Sequence, residues 1–391
     1  MPSNGDDRRA YLDHASTTPM CPEATEAMMP YLTGLFGNPS GSHRESRNAR
    51  LAVDDARDRI AELLGAAPGE VVFTAGGTEA DNLAVAGAWE AMAHTPEPPS
   101  AMVCSAMEHH AVLNSCRALS RRTGAELREV RTGKDGIIDL DQFAEACTGE
   151  VGLVSVMTVN NEIGTVQPID QVASVVGLRS PHAVLHTDAV QAVPWLDVEV
   201  VTSAADLVAV SAHKFGGPKG MGALVVRAGT TLLPLIHGGG QERDRRSGTH
   251  NVAGIVGMAA ALSATVARRQ EVIARITARR DRLGDGLLST VAGTAETGLR
   301  ENKVGGHLHL RFAGVENEAL VILLDQAGVA VSAGAACSSG ATDVSHVLTS
   351  MGLDRREAAT GIRFSLGSTT TDADIDQALA AVPAAVAQLR D

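Results

Sequence analysis

Through the first two-thirds of the chain, short β-branched runs are each followed by a small or polar turn and then by alanine, leucine and charged residues at helical spacing. That rhythm predicts an α/β fold. The clearest unit spans residues 70–74 as a strand, Ala75-Gly76-Gly77-Thr78 as a turn, and an alanine-rich helix to about Ala93. Further strands are expected at 101–104, 153–159, 183–187, 206–210 and 223–226. The stretches between them are long enough for crossovers, so most should be parallel. A long helix is expected from about Gly254 to Leu287, and after it the pattern changes. Residues 307–312 alternate as a half-buried strand, 316–327 suit a helix, and 329–331 and 361–366 are short strands. A final helix over 372–390 opens on an acidic turn behind Thr370-Thr371. The second part therefore predicts a smaller α+β domain.

Composition narrows the classes. The chain has 391 residues, 44% of them hydrophobic, which excludes disorder and a small staple-dependent fold. A net charge of −13 with only ten aromatic side chains argues against a nucleic-acid surface. The N-terminal residues carry no apolar run, and the stretch 255–267 is broken by polar and small residues. No signal peptide or membrane span is expected, and a cytoplasmic location is. Five cysteines without a CxxC pair fit neither a disulfide framework nor a structural zinc site. Lysine is scarce, with Lys134, Lys214, Lys219 and Lys303 as the only amines on side chains.

Five segments carry candidate chemistry. Gly76-Gly77-Thr78 at a helix start offers backbone N–H groups and a hydroxyl to a phosphate, although it matches no nucleotide motif and a plain tight turn has the same composition. Ser211-Ala212-His213-Lys214 leaves a strand end, where a lysine can form a Schiff base or simply face solvent. Asp188 follows another strand, with Gln191 three residues on. It can hold a pyridinium nitrogen or cap a helix. The pair His109-His110 suits stacking or proton transfer better than a metal, for which ligand spacing is lacking. Cys337 sits among tiny residues in Ala335-Ala336-Cys337-Ser338-Ser339-Gly340, a composition that fits a thiolate nucleophile on an exposed loop.

Taken together and in order, these segments resemble the cysteine desulfurases, pyridoxal-phosphate enzymes of the class V aminotransferase group with fold type I architecture. The resemblance spans nearly the whole chain. It includes Tyr11-Leu12-Asp13-His14-Ala15, Gly37-Asn38-Pro39-Ser40, Gly76-Gly77-Thr78-Glu79, Glu108-His109, Asn160-Asn161-Glu162-Ile163-Gly164 and Asp188-Ala189-Val190-Gln191. It continues through Ser211-Ala212-His213-Lys214, Arg246-Ser247-Gly248-Thr249, Ala336-Cys337-Ser338-Ser339-Gly340 and Arg363-Phe364-Ser365. His110 and Phe215-Gly216 depart from the commoner residues of the family without removing a chemical role.

The resemblance implies a large, mostly parallel seven-stranded sheet domain over 17–260. The small domain would comprise 1–16 and 261–391 and carry the cysteine loop. It implies pyridoxal 5'-phosphate held covalently by Lys214, with Asp188 at the pyridine nitrogen, Gln191 at the phenolic oxygen and His109 stacked on the ring. Gly77, Thr78, Ser211 and His213 would hold the phosphate, joined by Thr249 from the second subunit of a homodimer. Asn38, Asn161 and Arg363 would bind L-cysteine, with Arg363 gripping its carboxylate. Cys337 would take the sulfur as a persulfide, leave alanine, and pass the sulfur to an acceptor protein through a loop of the longer type. A selenocysteine lyase or related lyase shares the cofactor site, and a non-catalytic sulfur-transfer scaffold shares the fold.

Overall fold

The computed structural model describes residues 9–334 and 344–391. The strand β1 (Ala10–Tyr11) opens the described chain. It is followed by β2 (Val71–Thr74), β3 (Ala101–Ser105), β4 (Glu126–Val130), β5 (Val151–Ser155), β6 (Val184–Asp188), β7 (Leu207–Ser211) and β8 (Gly222–Val226). The last seven form one sheet in the order β2-β8-β7-β6-β5-β3-β4. Only β8 runs against its neighbours, antiparallel to both β2 and β7. Residues 212–221, which join β7 to β8, are too few for a crossover, so the chain must turn back. Every position of β3, β5, β7 and β8 is buried, because helices cover both faces.

The sequence pattern misses β4. Its residues are Glu126-Leu127-Arg128-Glu129-Val130, a mostly charged run that sits at the sheet edge, where charge is tolerated and discourages pairing with other chains. Arg128 bridges Glu126 and Glu150 there, at 2.6 and 2.8 Å. The strand expected over 153–159 ends instead at Ser155, and residues 156–159 continue as buried chain beside the strand ends.

The expected long helix runs from Val252 to Thr290. Its first half packs on the helices Pro22–Leu32 and Arg44–Leu63, and it also packs against the C-terminal helix Asp372–Arg390. By length and composition this helix can cross a membrane. However, 56% of its most apolar window is buried inside the protein, which is the pattern of a core helix. Beyond it, β9 (Thr294–Glu296), β10 (His307–Phe312), β11 (Val329–Ala330) and β12 (Gly361–Ser365) complete the strands. A three-stranded antiparallel sheet has the order β12-β10-β9, while β11 pairs in parallel with β1. Phe312, Phe364, Leu308 and Leu310 fill the core under the small sheet. The segment from Ala10 to Thr18 forms a seam between the two sheets. Asp13 bridges Ser365 of β12, and Thr18 N–H donates to the His213 carbonyl behind β7.

Candidate active site

The carboxyl ends of β2, β3, β5, β6 and β7 lie along one edge of the sheet, and the candidate residues follow them. Gly77 and Thr78 come after β2, His109 after β3, Asn161 after β5, and Asp188 with Gln191 at the end of β6. Ser211, His213 and Lys214 come from β7. Ligands of open α/β sheets bind at such an edge. The turn after β2 needs glycine twice. Gly76 has φ +145°, and a Cβ on Gly77 would lie 2.9 Å from Val190 Cγ2 and 3.3 Å from Ser211 Cβ. The helix that begins at Gly77 runs through a π-helical turn at Leu83–Gly87 to Ala93, as the alanine pattern predicts. Between this helix start and β7 lies a hollow of about 420 Å³ lined by Gly76, Gly77, Thr78, Ser211, His213 and Lys219. Burial, with the nearby Lys214 and Lys219 charges, pushes His213 down to about 4, so at neutral pH it is uncharged.

Lys214 leaves β7 on a single 3₁₀ turn, Ala212–Lys214. Its Nζ donates to the carbonyls of Ala15 and Ser16 at 2.6 and 2.7 Å. The Ala15 carbonyl also accepts from Gln191 Nε2 at 2.9 Å, which gathers the lysine and the glutamine around one oxygen of the seam.

A buried acid cluster adjoins them. Asp188 Oδ1 accepts from Val190 N–H at 2.8 Å. Burial raises the Asp188 carboxyl to about 7, and nearby Asp81 pushes the same way against the pull of Val190 N–H, His186 and Lys214. Asp81, in the first turns of the helix from Gly77, is raised by burial to about 8. One ligand atom from each of Asp81, His109 and Asp188 lies within 4.8 Å of the others. His109 Nδ1 accepts from Ala111 N–H at 3.2 Å and caps the following helix, which leaves its proton on Nε2. Burial, helped by Lys214 and the neighbouring histidines, lowers His109 to about 4 and keeps it neutral. Behind the cluster, His186 shares a 2.8 Å hydrogen bond with Ser155 Oγ, and its Nε2 faces Asp81 Oδ1 at 3.5 Å. The pairing of Asp81 with His186 is not visible in the sequence. The available signal was an acid four residues after Gly77, on the helix face that must point into the sheet.

The substrate candidates are distributed unequally. Arg363, buried on β12, donates from Nη1 to the Asn161 carbonyl at 2.9 Å, and from Nη2 to Asp13 Oδ1 at 2.6 Å and Ser16 Oγ at 2.7 Å. Its Nε has no partner among the described residues. Asn38 stands on an exposed loop, where its Oδ1 accepts from Ser40 N–H. Thr249 is likewise exposed and does not line the hollow of its own chain. Cys337 lies outside the described residues. Glu162 binds Ser345 Oγ at 2.6 Å, just beyond that segment.

The loop that carries Thr249 is held under strain. Glu242, Arg243 and Asp244 have φ of 51°, 58° and 64°, three consecutive side-chain-bearing residues in the left-handed region. The Glu242 carboxylate offsets that cost by accepting from Arg57 at 2.6 and 2.9 Å, Phe73 N–H at 2.9 Å and His250 Nε2 at 2.6 Å. Burial alone would raise this carboxyl, but the His250 and Arg57 hydrogen bonds, the Arg57 charge and the Phe73 N–H hold it at about 2 instead. Relative to an ordinary value of 4.5 this contributes about 3 kcal/mol. A depressed carboxyl stabilises the fold above its unfolded value and loses that contribution as pH falls through its folded value. Glu242→Gln is therefore expected to lower stability markedly in urea melts at pH 7, and the gap to the parent should shrink as pH falls from about 4.5 towards 2.

The class-V aminotransferase model matches residues 10–378. The IscS-like cysteine desulfurase of Mycobacterium tuberculosis is 44% identical over 384 residues, which is 97% of either chain. The cysteine desulfurase IscS of Dictyoglomus turgidum is 39% identical over 383 residues, covering 98% of this chain and 96% of that one. The chain belongs to the cysteine desulfurase family. Solved structures agree with this. A NifS-like protein superposes with a TM-score of 0.90 at 32% identity, covering 97% of this chain and 100% of its own. SspA, solved in complex with cysteine, gives a TM-score of 0.80 at 32% identity, covering 93% of this chain and 100% of its own. As a cysteine desulfurase, the protein is a pyridoxal-phosphate-dependent transferase that converts cysteine to alanine and a persulfide.

Proposed function

We propose that this chain's residues divide the desulfurase reaction as follows, in a cytoplasmic homodimer that hands sulfur to an acceptor protein. The residues fit the family's cofactor. The hollow at Gly77, Thr78, Ser211 and His213 lies at a helix start, and close packing of Gly77 against Val190 and Ser211, where a Cβ would come within 2.9 and 3.3 Å, fixes the backbone of that turn, as expected of a phosphate cradle. The observation that carries the reading is the convergence of Asp188, Asp81 and His109, two raised carboxyls and a neutral imidazole, beside the Lys214–Gln191 pair. An acid raised to about 7 by burial gains most from a proton-bearing ring nitrogen set against it, which would hold Asp188 ionised. The same three groups are the metal candidate among the described residues, but burial disfavours the two ionised carboxylates that a cation would require.

When bound, pyridoxal 5'-phosphate supplies a sink for the electron pair left behind when the substrate Cα–H bond breaks. Lys214 would anchor the group through its Nζ, and the same amine, when free, would take the substrate Cα proton. Gln191 would reach the phenolic oxygen. His109, neutral with its proton on Nε2, would stack on the ring and could relay a proton. Arg363, already aligned by Asp13, Ser16 and Asn161, would offer its Nε, unpartnered among the described residues, and an Nη to the substrate carboxylate, with Asn161 beside it and Asn38 reaching the substrate from a separate exposed loop. The Cys337 thiolate would form a bond to the substrate sulfur as the Cβ–S bond breaks with its electron pair left to the carbon skeleton; Cβ would then gain a proton, and Lys214 would return the one taken from Cα. Cysteine and a thiol thus become alanine and a persulfide.

The division into 17–260 and a small domain of 1–16 with 261–391 is supported by β1 joining β11, and by Asp13 joining β12. A homodimer is supported by exposed apolar side chains on the two loops that bear Asn38 and Thr249. Leu35 and Phe36 flank the first, and Leu233, Leu235 and Ile236 lead into the second. Incubation of the purified dimer with cofactor and L-cysteine should yield alanine and reducible sulfur in equal amounts, with a visible absorption band that shifts on adding cysteine. Elimination to pyruvate in place of alanine would overturn the reading.

A further inference from the structure

The turn that borders the phosphate hollow and the loop that carries Thr249 are tied to each other by one ion pair. Arg246 grips Glu79 through Nε at 2.7 Å and Nη2 at 3.2 Å. Glu79 in turn accepts from Ala75 N–H at 2.8 Å, so its carboxylate spans the whole turn Ala75-Gly76-Gly77-Thr78. Both side chains are about four-fifths buried within this single chain. From Arg246 the chain runs three residues to Thr249 with little freedom. Ser247 is buried, with its N–H on the Ile236 carbonyl and its Oγ accepting from Gly240 N–H. Gly248 N–H donates to Gln241 Oε1, and Glu242 anchors the turn behind them. Thr249 is nevertheless exposed and does not line its own hollow.

We propose that the Arg246–Glu79 pair is a positioning device that couples the two active sites of the dimer, because it makes the phosphate cradle of one subunit and the Thr249 lent to its partner a single rigid unit. The inference rests on the reading above that Thr249 serves across the interface. A phosphate seated on Gly77 and Thr78 fixes the turn that Glu79 closes. The fixed carboxylate holds Arg246, and Arg246 sets where Ser247, Gly248 and Thr249 meet the other subunit. A bidentate guanidinium–carboxylate pair transmits orientation as well as position, which a lysine cannot do. Filling one site therefore pre-orders a ligand of the second, which is positive coupling between like sites.

Mixed dimers test this. One subunit carries Lys214→Ala, so it gives no covalent visible band; the other carries Thr249→Ala, so the band reports only that subunit's site. If Thr249 serves in trans, the reporting site receives an intact Thr249, and its cofactor affinity should match the parent, whereas Thr249→Ala homodimers should bind about tenfold more weakly. Adding Arg246→Ala to the Lys214→Ala subunit, which contributes no covalently bound cofactor of its own, should then weaken cofactor binding at the reporting site about five- to tenfold. Arg246→Lys in the same place should restore less than half of that loss. If Arg246→Ala prevents dimer formation, Glu79→Gln in the lending subunit serves instead and should weaken binding in the same direction. Recovery that is indifferent to both lesions in the lending subunit overturns the coupling alone. Absence of recovery in the first mixed dimer overturns the trans reading, and the coupling with it.

Discussion

Lys214→Ala is expected to abolish covalent cofactor attachment, and with it the visible band, and to lower alanine formation by at least about 10⁴-fold, since one residue serves as both anchor and base. No other amine can take its place. Lys303 is wholly buried against Glu296 at 2.7 Å, in the small domain. Lys134 is exposed in a turn after β4, far along the chain from the strand ends that build the site. Lys219 is the nearest alternative because it lines the phosphate hollow, but it follows Gly217-Pro218 and is itself exposed. Reduction with borohydride followed by peptide mapping measures the outcome. The parent should carry the reduced cofactor on the peptide containing Lys214, and the variant should carry none. A labelled Lys219 peptide in the variant, with activity retained, would overturn the assignment. Lys214→Arg should fail equally, since a guanidinium keeps the charge and the carbonyl contacts but cannot supply an imine-forming amine. Non-covalent retention of the cofactor is compatible with the prediction, because the hollow around Gly77 and Ser211 is left intact.

The parts of the fold legible from pattern were those where one requirement dominates. The central strands are continuous apolar runs because both faces are buried, and the Gly76-Gly77 turn is forced by a φ of +145° and a contact at 2.9 Å. The strand β4 was hidden because an edge strand with one pairing partner can be charged. The site was legible where chemistry follows a strand end, as at Asp188 and Lys214. It was not legible where function depends on spatial neighbours. Asp81 and His186 lie on different elements more than 100 residues apart, and only the folded chain sets them 3.5 Å from each other. The role of Arg363 was expected as a carboxylate grip. That Asp13, Ser16 and Asn161 already occupy much of its guanidinium emerges only from the pairing of the N-terminal segment with β12.

The pairing of Arg363 with Asp13 bears on how substrate is admitted. A buried arginine already neutralised by a partly buried carboxylate is not an open anion trap, and an Nε that is its single unpartnered nitrogen among the described residues limits the gain from a second carboxylate. What the arrangement supplies is alignment, since the fork is held before the substrate arrives and little rotamer entropy remains to be lost on binding.

Cys337→Ala is expected to retain the cofactor, its colour and the spectral shift on adding L-cysteine, while sulfur transfer to an acceptor falls by about 10²-fold or more. The argument rests on what the other thiols can offer. Cys104 and Cys116 are buried between β3 and the helix behind it. The Cys104 thiol is raised well above its usual range, first by its hydrogen bond with Cys116 and then by burial. Burial pushes Cys147 up to about 11, which leaves roughly one thiolate in 10⁴ at neutral pH. Cys21 is half-buried and is also raised by burial. A thiol that attacks a substrate sulfur must be ionised and must reach it, and none of the four meets both conditions. In the variant, lysine, carboxylate and arginine still bind and deprotonate cysteine, so the block falls after the Cα–H step and before the Cβ–S bond breaks. Intact-protein mass spectrometry after a single turnover should therefore find one added sulfur on the parent, mapped to the Cys337 peptide, and none on the variant. Full acceptor-dependent activity in Cys337→Ala, or the added sulfur on a Cys21 peptide of the parent, would remove Cys337 from the reaction.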